Sequence, residues 1–318
     1  MRILDPSFTI LDNLDRQSLA ARVEYCGRVC YKSEASIDAH SAGPFVRKML
    51  QRQHSSVFEM AMLSLDIRLR DEAQLAALFA RQPRFLQISL PGPDKTRRLL
   101  TGSIRALRDF LQGEQDALRD ALGAFLLARH PLFFADVVPT AAQADAGIEI
   151  RKLPLAAVEE LPPALLAEHR FLAVRFVVNR AVSHELVRHR RCSFLQESQR
   201  YCRYNSERFG GEVAFIRPLF FPEGSPEFLL WQEAMAHCER IYLKLLASAS
   251  PQAARSVLPN SCKTEIIVSA NLGQWRHMLA LRTSQAADPS MREVTIPLAR
   301  ELARRYPALF TAAEHRGQ

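Results

Sequence analysis

The chain has 318 residues, 48% of them apolar, enough to fill one large core or two ordinary ones, and no apolar run approaches the ~20 residues that a membrane-spanning helix needs. Lys and Arg total 42 against 34 for Asp and Glu, and this net charge of +8 favours an anionic ligand: nucleotide phosphate, acidic cofactor or nucleic acid. Asp5, Asp12 and Asp15 near the start are unlike the basic-then-apolar pattern of a secretory leader, so a cytoplasmic location is expected. Six cysteines with no C-x-x-C pair predict reduced thiols rather than a disulfide scaffold.

In chain order, residues 14–31 and 42–53 have helical patterning. Leu63, Leu65, Ile67 and Leu69 then alternate with polar residues, the period of two expected of a half-buried strand. Residues 85–90 predict a second strand, closed by the turn Pro91-Gly92-Pro93-Asp94. Residues 97–130 read as one or two helices. From 131 to 163 five prolines and lost periodicity suggest a long surface connection. A helix is expected from Pro163 to residues 187–189, and a short strand over 213–216. Residues 226–247 predict a helix with Phe228, Trp231, Met235, Cys238, Tyr242 and Leu245 on one buried stripe. Helical pattern returns at 271–287 and 291–305, while 266–269 is open between strand and helix. No internal repeat is visible. These elements predict an α+β protein: a central antiparallel sheet flanked by helices, with a largely helical insertion in the middle of the chain.

The chemistry concentrates between His184 and Tyr204. His184-Glu185 suggests a zinc helix, but His184 and His189 are five apart, about 140° around a helix, so no metal is expected. Arg188, Arg190, Arg191, Arg200 and Arg203, interleaved with Ser193, Ser198, Tyr201 and Tyr204, suit phosphate instead: guanidiniums present planar, permanently charged donor pairs and the hydroxyls add neutral ones. Without the aromatic interleaving, such a run reads as a solvated charged face. Glu185, three residues before Arg188, is placed to orient that guanidinium on a shared helix face.

Arg188-His189-Arg190, then Ser198 with Gln196-Glu197 before it and Arg200-Tyr201 after it, is similar to the R-H-R-x₇-S signature of the flavin-dependent thymidylate synthases. Upstream, His54-Ser55-Ser56-Val57-Phe58-Glu59 resembles that family's H-x-[ST]-x-F-E element. Downstream, Arg255 to Pro259, Lys263-Thr264-Glu265, Asn271-Leu272, Trp275-Arg276-His277, Leu281-Arg282 and Met291-Arg292-Glu293 follow its C-terminal pattern in order. The resemblance covers residues 20–70 and 170–305 and leaves 71–170 as an insertion in a single domain spanning 1–318.

The resemblance implies methylation of dUMP to dTMP, with methylenetetrahydrofolate as one-carbon donor and reduced FAD, regenerated by NADPH, as hydride source. It assigns the dUMP phosphate to Ser198, Gln199, Arg200 and Arg255, and the pyrimidine to Glu185, Arg188, Gln196 and Glu197. Arg282 becomes the catalytic residue that polarises the ring electrostatically. FAD is assigned to His54, Ser56, Glu59, Arg188, His189, Arg190, Gln196, Asn271 and His277. A homotetramer with shared sites is implied as well. Leu195 and Gly273 depart from the family's pattern, where asparagine or serine and a flavin-contacting arginine are usual; both departures predict weaker flavin binding. Ser198 has no base at fixed spacing and is read as a hydrogen-bonding group, while Cys192 and Cys202 are read as packing residues. Two alternatives remain at this level: a flavin-binding homologue with altered or lost nucleotide activity, and a basic nucleic-acid-binding protein. Glu185 and Gln196-Glu197 embedded among the arginines argue against the latter.

Overall fold

The computed structural model describes residues 1–80, 85–113, 116–139, 147–205 and 210–310. The chain opens with strands β1 (Arg2–Leu4) and β2 (Ser7–Ile10), then helices α1 (Asp12–Asp15), α2 (Leu19–Tyr31) and α3 (Ala42–Gln51). The helix expected over 14–31 is thus interrupted. Ser18 takes extended backbone and its hydroxyl accepts from the Ala21 amide at 3.1 Å, capping a new helix there. Val23, Cys26 and Val29 point into the core from α2, and Lys32, at φ 49°, closes it in the left-handed conformation.

Strand β3 (Met62–Arg68) follows as its alternation predicted. The next hundred residues hold α4 (Glu72–Ala80), β4 (Leu86–Ser89), β5 (Arg97–Ser103), α5 (Ile104–Leu111), α6 (Ala117–Arg129), α7 (Pro131–Phe134), β6 (Glu149–Lys152), α8 (Leu155–Glu159) and α9 (Pro163–His169). Two expectations are corrected here. Residues 97–103 form a strand, not the start of a helix: Leu99, Leu100 and Thr101 are buried between β4 and β3 in an antiparallel sheet ordered β4-β5-β3-β6. The connection from 131 to 163 contains two short helices and an edge strand; its residues 140–146 lie outside the described residues. Asp66 on β3 is buried and bound by Arg97 from β5 (2.8 and 2.9 Å) and Arg151 from β6 (2.6 Å), so ion pairs as well as apolar contacts join the insertion's strands to β3.

The second half supplies β7 (Phe171–Asn179), α10 (Arg180–Leu186), β8 (Ser193–Gln196), β9 (Ala214–Ile216), α11 (Pro226–Leu245), α12 (Pro251–Ala254), β10 (Lys263–Asn271), α13 (Leu272–Arg282) and α14 (Pro289–Arg305). The helix expected from Pro163 onward is instead α9, β7 and α10. Phe171–Asn179 is a near-continuous apolar run because both of its faces are covered, and such a run cannot show a strand's alternation. β10 settles the ambiguity at 266–269 as strand and pairs antiparallel with β7 along all of Lys263–Asn271. The resulting antiparallel sheet, β2-β7-β10-β8, divides two cores. Ala173, Leu195 and Ile267 face α2, α3, β3, α5 and α6, while Val174, Phe176, Ile266 and Val268 face α10, α13 and α14. A third cluster forms where α11 packs on β9, with the predicted stripe residues Phe228, Trp231, Met235 and Tyr242 buried in it. β1 and β9 pair in parallel as a separate ribbon. The protein is α+β, as expected.

Candidate active site

Lys263 at the start of β10 lies opposite Asn179 at the end of β7, so α10, which follows β7, begins at this edge of the sheet. Asn179 caps α10 by accepting from the Val182 amide at 2.8 Å. At the other end of β10, Asn271 caps α13 in the same way, accepting from Gln274 at 2.8 Å. The last residue of α13, Arg282, meets α10 and the loop that follows it. Its Nη1 donates to the Glu185 carboxylate at 2.6 Å, its Nε to His189 Nε2 at 2.8 Å and its Nη2 to the Glu185 carbonyl at 3.4 Å. Three of the guanidinium's five N–H groups are thereby engaged, leaving two, one on each terminal nitrogen. Thr295 on α14 fixes the helix end by donating to the Arg282 carbonyl at 2.9 Å.

For His189 to accept at Nε2, its proton must sit on Nδ1. Burial, then the charge of Arg282 and the nearby His277, push this imidazole down to about 4, so it is neutral near pH 7. The Glu185 carboxylate serves Arg282, which corrects the expected Glu185–Arg188 pair. Arg188 lies beyond α10, where the chain leaves helical geometry, and the two residues no longer share a helix face.

Arg191 adopts φ 67°, and this left-handed residue turns the chain from α10 into β8. Around it Arg188, Arg190 and Arg191 are exposed, and none has a side-chain hydrogen bond or ion pair to another described residue. Gln196 ends β8 with its amide donating to Ser183 (2.8 Å) and Thr264 (3.1 Å), tying the strand to α10 and β10. The Ser198 amide donates to the Cys30 carbonyl at 2.9 Å, docking the turn that carries Ser198, Gln199 and Arg200 on the end of α2. Gln199 Nε2 lies 3.4 Å from Cys262 Sγ, and Arg200 rests against the Tyr201 ring at 5.6 Å. Arg255 is half-buried in the short 3-10 turn Arg255–Val257 and makes no side-chain ion pair among the described residues.

Several residues assigned to ligands by resemblance are occupied elsewhere. Glu197 turns inward, 2% exposed, and accepts from Tyr204 Oη (2.9 Å) and Lys263 Nζ (2.8 Å). Lys263 also bonds Glu265, which in turn holds Lys32 and Arg175, while Lys32 reaches Glu34. Three acids and three bases thus form an inner network behind the site. Burial alone raises the Glu265 carboxyl, but Lys263, Lys32 and Arg175 outweigh it and hold it at about 2. Glu59 pairs with Arg105 on α5. Both polar atoms of the Asn271 side chain are engaged, Oδ1 in the cap and Nδ2 on the Glu168 carbonyl at 3.0 Å. Ser56 and His277 are exposed.

His54 Nδ1 lies 3.2 Å from the Tyr31 hydroxyl, and Tyr31 packs edge-on against Tyr201 with centroids 5.5 Å apart. Through Tyr31, missed from sequence, the His54 element reaches the Ser198 turn. Only the end of a helix marks that tyrosine locally. Cys192 and Cys202 carry thiols that burial raises to about 12, as packing residues do, and no cysteine is paired. Among the described residues no group of three or more His, Cys, Asp or Glu side chains is placed to hold a metal ion, and no helix is long and apolar enough to cross a membrane.

Residues 164–308 match the profile of the family described as thymidylate synthase complementing protein. The match includes α10, β8, β10, α13 and α14 but not His54–Glu59 or most of the insertion. The chain is 35% identical over 147 residues to the flavin-dependent thymidylate synthases of Mycobacterium bovis (strain BCG / Pasteur 1173P2) and Mycobacterium tuberculosis (strain ATCC 25618 / H37Rv). It is 34% identical over 152 residues to that of Mycobacterium sp. (strain KMS). Each alignment takes in 43% of this chain and 59% of the relative, so the chain spans somewhat under two thirds of the curated proteins it matches. Residues 164–308, the stretch that joins Arg282 to Glu185 and His189, are thus similar to the flavin-dependent thymidylate synthases.

Proposed function

We propose that the protein is a thymidylate synthase that converts dUMP to dTMP, taking its one-carbon unit from methylenetetrahydrofolate and its hydride from reduced FAD regenerated by NADPH. The observation that carries this reading is Arg282: a guanidinium pinned by Glu185 and neutral His189, with two N–H donors left, beside Arg188, Arg190 and Arg191, which no carboxylate among the described residues neutralises. Two donors on a planar cation suit the O2 and N3 edge of a uracil ring that has lost its N3 proton, where both atoms accept. Holding the ring there stabilises negative charge on it and makes C5 more electron-rich, without a covalent thiolate. Cys192 and Cys202, with thiols at about 12, are poor nucleophiles for the covalent route. Ser198, Gln199, Arg200 and Arg255 would receive the phosphate.

The flavin, when bound, supplies the hydride chemistry. Its anionic pyrophosphate fits the open guanidiniums of Arg188 and Arg190, and exposed His277 lies near neutral His189. Glu59 and Asn271 are held by Arg105 and by the α13 cap and offer less than the resemblance assigns them. A homotetramer with shared sites belongs to the same proposal, supported by the open face of α13 on which Arg276, His277 and Leu281 are exposed.

The test is the absorbance of the purified protein, followed by dTMP formation from dUMP, methylenetetrahydrofolate and NADPH. A protein that is colourless and fails to bind added FAD overturns the reading. Arg282→Ala is expected to lower turnover roughly hundredfold or more with the flavin spectrum retained; turnover near that of the parent removes Arg282 from its role.

A further inference from the structure

A cleft of about 510 Å³ opens on the opposite end of the sheet, between α1, α2 and β3 on one side and α7, α8 and the start of β7 on the other. It touches Phe171 at the beginning of β7, whereas α10, which carries Glu185, follows the other end of that strand, and Arg282 stands a helix length, about 16 Å at 1.5 Å per residue, from Asn271, the partner of Phe171. Its volume lies within the range of small-molecule pockets. Leu14, Leu19, Met62, Phe133, Leu153 and Phe171 give it an apolar body.

Its charge is one-sided. Asp15 is the one carboxylate among its described lining residues, and both of its oxygens are taken, by Arg22 at 2.5 Å and Arg170 at 2.7 Å. Arg129 and Lys152 also line the cleft; both are exposed, and neither pairs with a carboxylate among the described residues. Arg129 lies over the Phe125 ring at 3.9 Å, which orients the guanidinium and leaves its charge uncompensated. His130 also lines the cleft, and burial, then the charges of Lys152 and Arg129, push its imidazole below the ordinary range. His169, 2% exposed, lines the cleft with Nδ1 at 2.8 Å from the Thr101 hydroxyl, while its Nε2 has no hydrogen-bond partner among the described residues. A buried imidazole nitrogen left without a partner is the kind of group a ligand satisfies.

We propose that this cleft binds a small organic anion, a compact apolar body carrying one carboxylate, sulfonate or phosphate, with the anionic head on Arg129 and Lys152 and the body among the apolar side chains. The site is built by the 71–170 insertion against the rest of the chain, and it stands independently of the reaction proposed at Arg282. The insertion thereby acquires a role in ligand binding.

The test is calorimetric titration of the full chain with 4-phenylbutyrate and, as a neutral control of the same shape, 4-phenylbutanol. The expected result is one site per chain, with the anion at least about tenfold tighter than the alcohol. Arg129→Ala with Lys152→Ala should abolish that preference and leave the alcohol unaffected. Both side chains are exposed, so the double variant is expected to fold, which circular dichroism checks. His130, followed by NMR, should titrate higher once the anion is bound, and Arg282→Ala should bind the anion as the parent does. Equal affinity for acid and alcohol, a preference that survives the double variant, loss of binding in Arg282→Ala, or no binding at millimolar concentration each overturns the proposal.

Discussion

His189→Gln isolates the hydrogen bond that orients Arg282. The folded imidazole is held at about 4 against an ordinary value of 6.5, so it stays neutral down to about pH 4 while the unfolded chain protonates below 6.5. Between those limits the unfolded state binds more protons, and stability falls as pH drops from 6.5 to 4, then levels off. A separation of about 2.5 units at 1.36 kcal/mol each gives an order-of-magnitude upper bound of about 3 kcal/mol. Glutamine keeps an acceptor for Arg282 Nε but cannot titrate, so the variant should lose that share of the acid sensitivity. Buried His169, also at about 4, contributes in the same window, and the measurement is therefore differential: urea unfolding of parent and variant at several pH values. An NMR titration placing His189 at or above 6.5, or an unchanged pH dependence in the variant, refutes the reasoning.

The inner network makes Lys263→Met costly. It leaves Glu197 and Glu265 without their shared cation in a buried setting, at about 3 kcal/mol in urea unfolding, and a loss below about 1 kcal/mol would show the network to be slack. Glu265, held at about 2, contributes stability that is present above its ordinary value of 4.5 and lost as pH falls towards 2; the same variant should move acid unfolding to higher pH. Gly27→Ala on α2 places a Cβ 2.7 and 2.9 Å from the Phe45 ring of α3. Alanine's helix advantage of about 1 kcal/mol is then overcome by crowding, for a net loss of about 1–2 kcal/mol by thermal unfolding, and a raised Tm contradicts it. Asn271→Ala removes the α13 cap and should cost about 1 kcal/mol with flavin affinity unchanged, whereas a selective loss of flavin would return Asn271 to ligand contact.

What the chain showed in advance was whatever a local period or a local motif encodes. The alternation at Leu63 to Leu69 and the stripe on α11 survive because one face of each element meets a core. β7 hides its period for the opposite reason: it buries residues on both faces, and the alternation disappears into an apolar run, while β5 buries the polar Thr101 and Ser103 beside Leu99 and Leu100 and so shows no alternation either. The arginines and Ser198 could be found because their residue types state their chemistry. Which carboxylates would be free for a ligand could not. Glu197 and Glu59 are spent on Lys263 and Arg105, partners 66 and 46 positions away, and nothing within a few residues of either announces that. The pairing of Glu185 with Arg282 likewise depends on β7, β10 and α13 bringing positions 97 apart into contact.

Gly273 is the departure for which the fold supplies a reason. It sits on the first turn of α13, where an ideal Cβ would lie 3.3 Å from the Ala167 carbonyl of α9, and the neighbouring Asn271 amide donates to the Glu168 carbonyl of the same helix. An arginine here would have to leave the helix past the backbone of α9. The residue follows from how the insertion ends: α9 docks close on α13, and a small residue permits that approach. The contact expected from an arginine at 273 is thus replaced by backbone packing. In the proposed enzyme, charge for the flavin's phosphates must then come from Arg188 and Arg190 on the open loop after α10. Charge reversal at those two arginines should therefore abolish flavin binding, while Gly273→Ala should leave it intact.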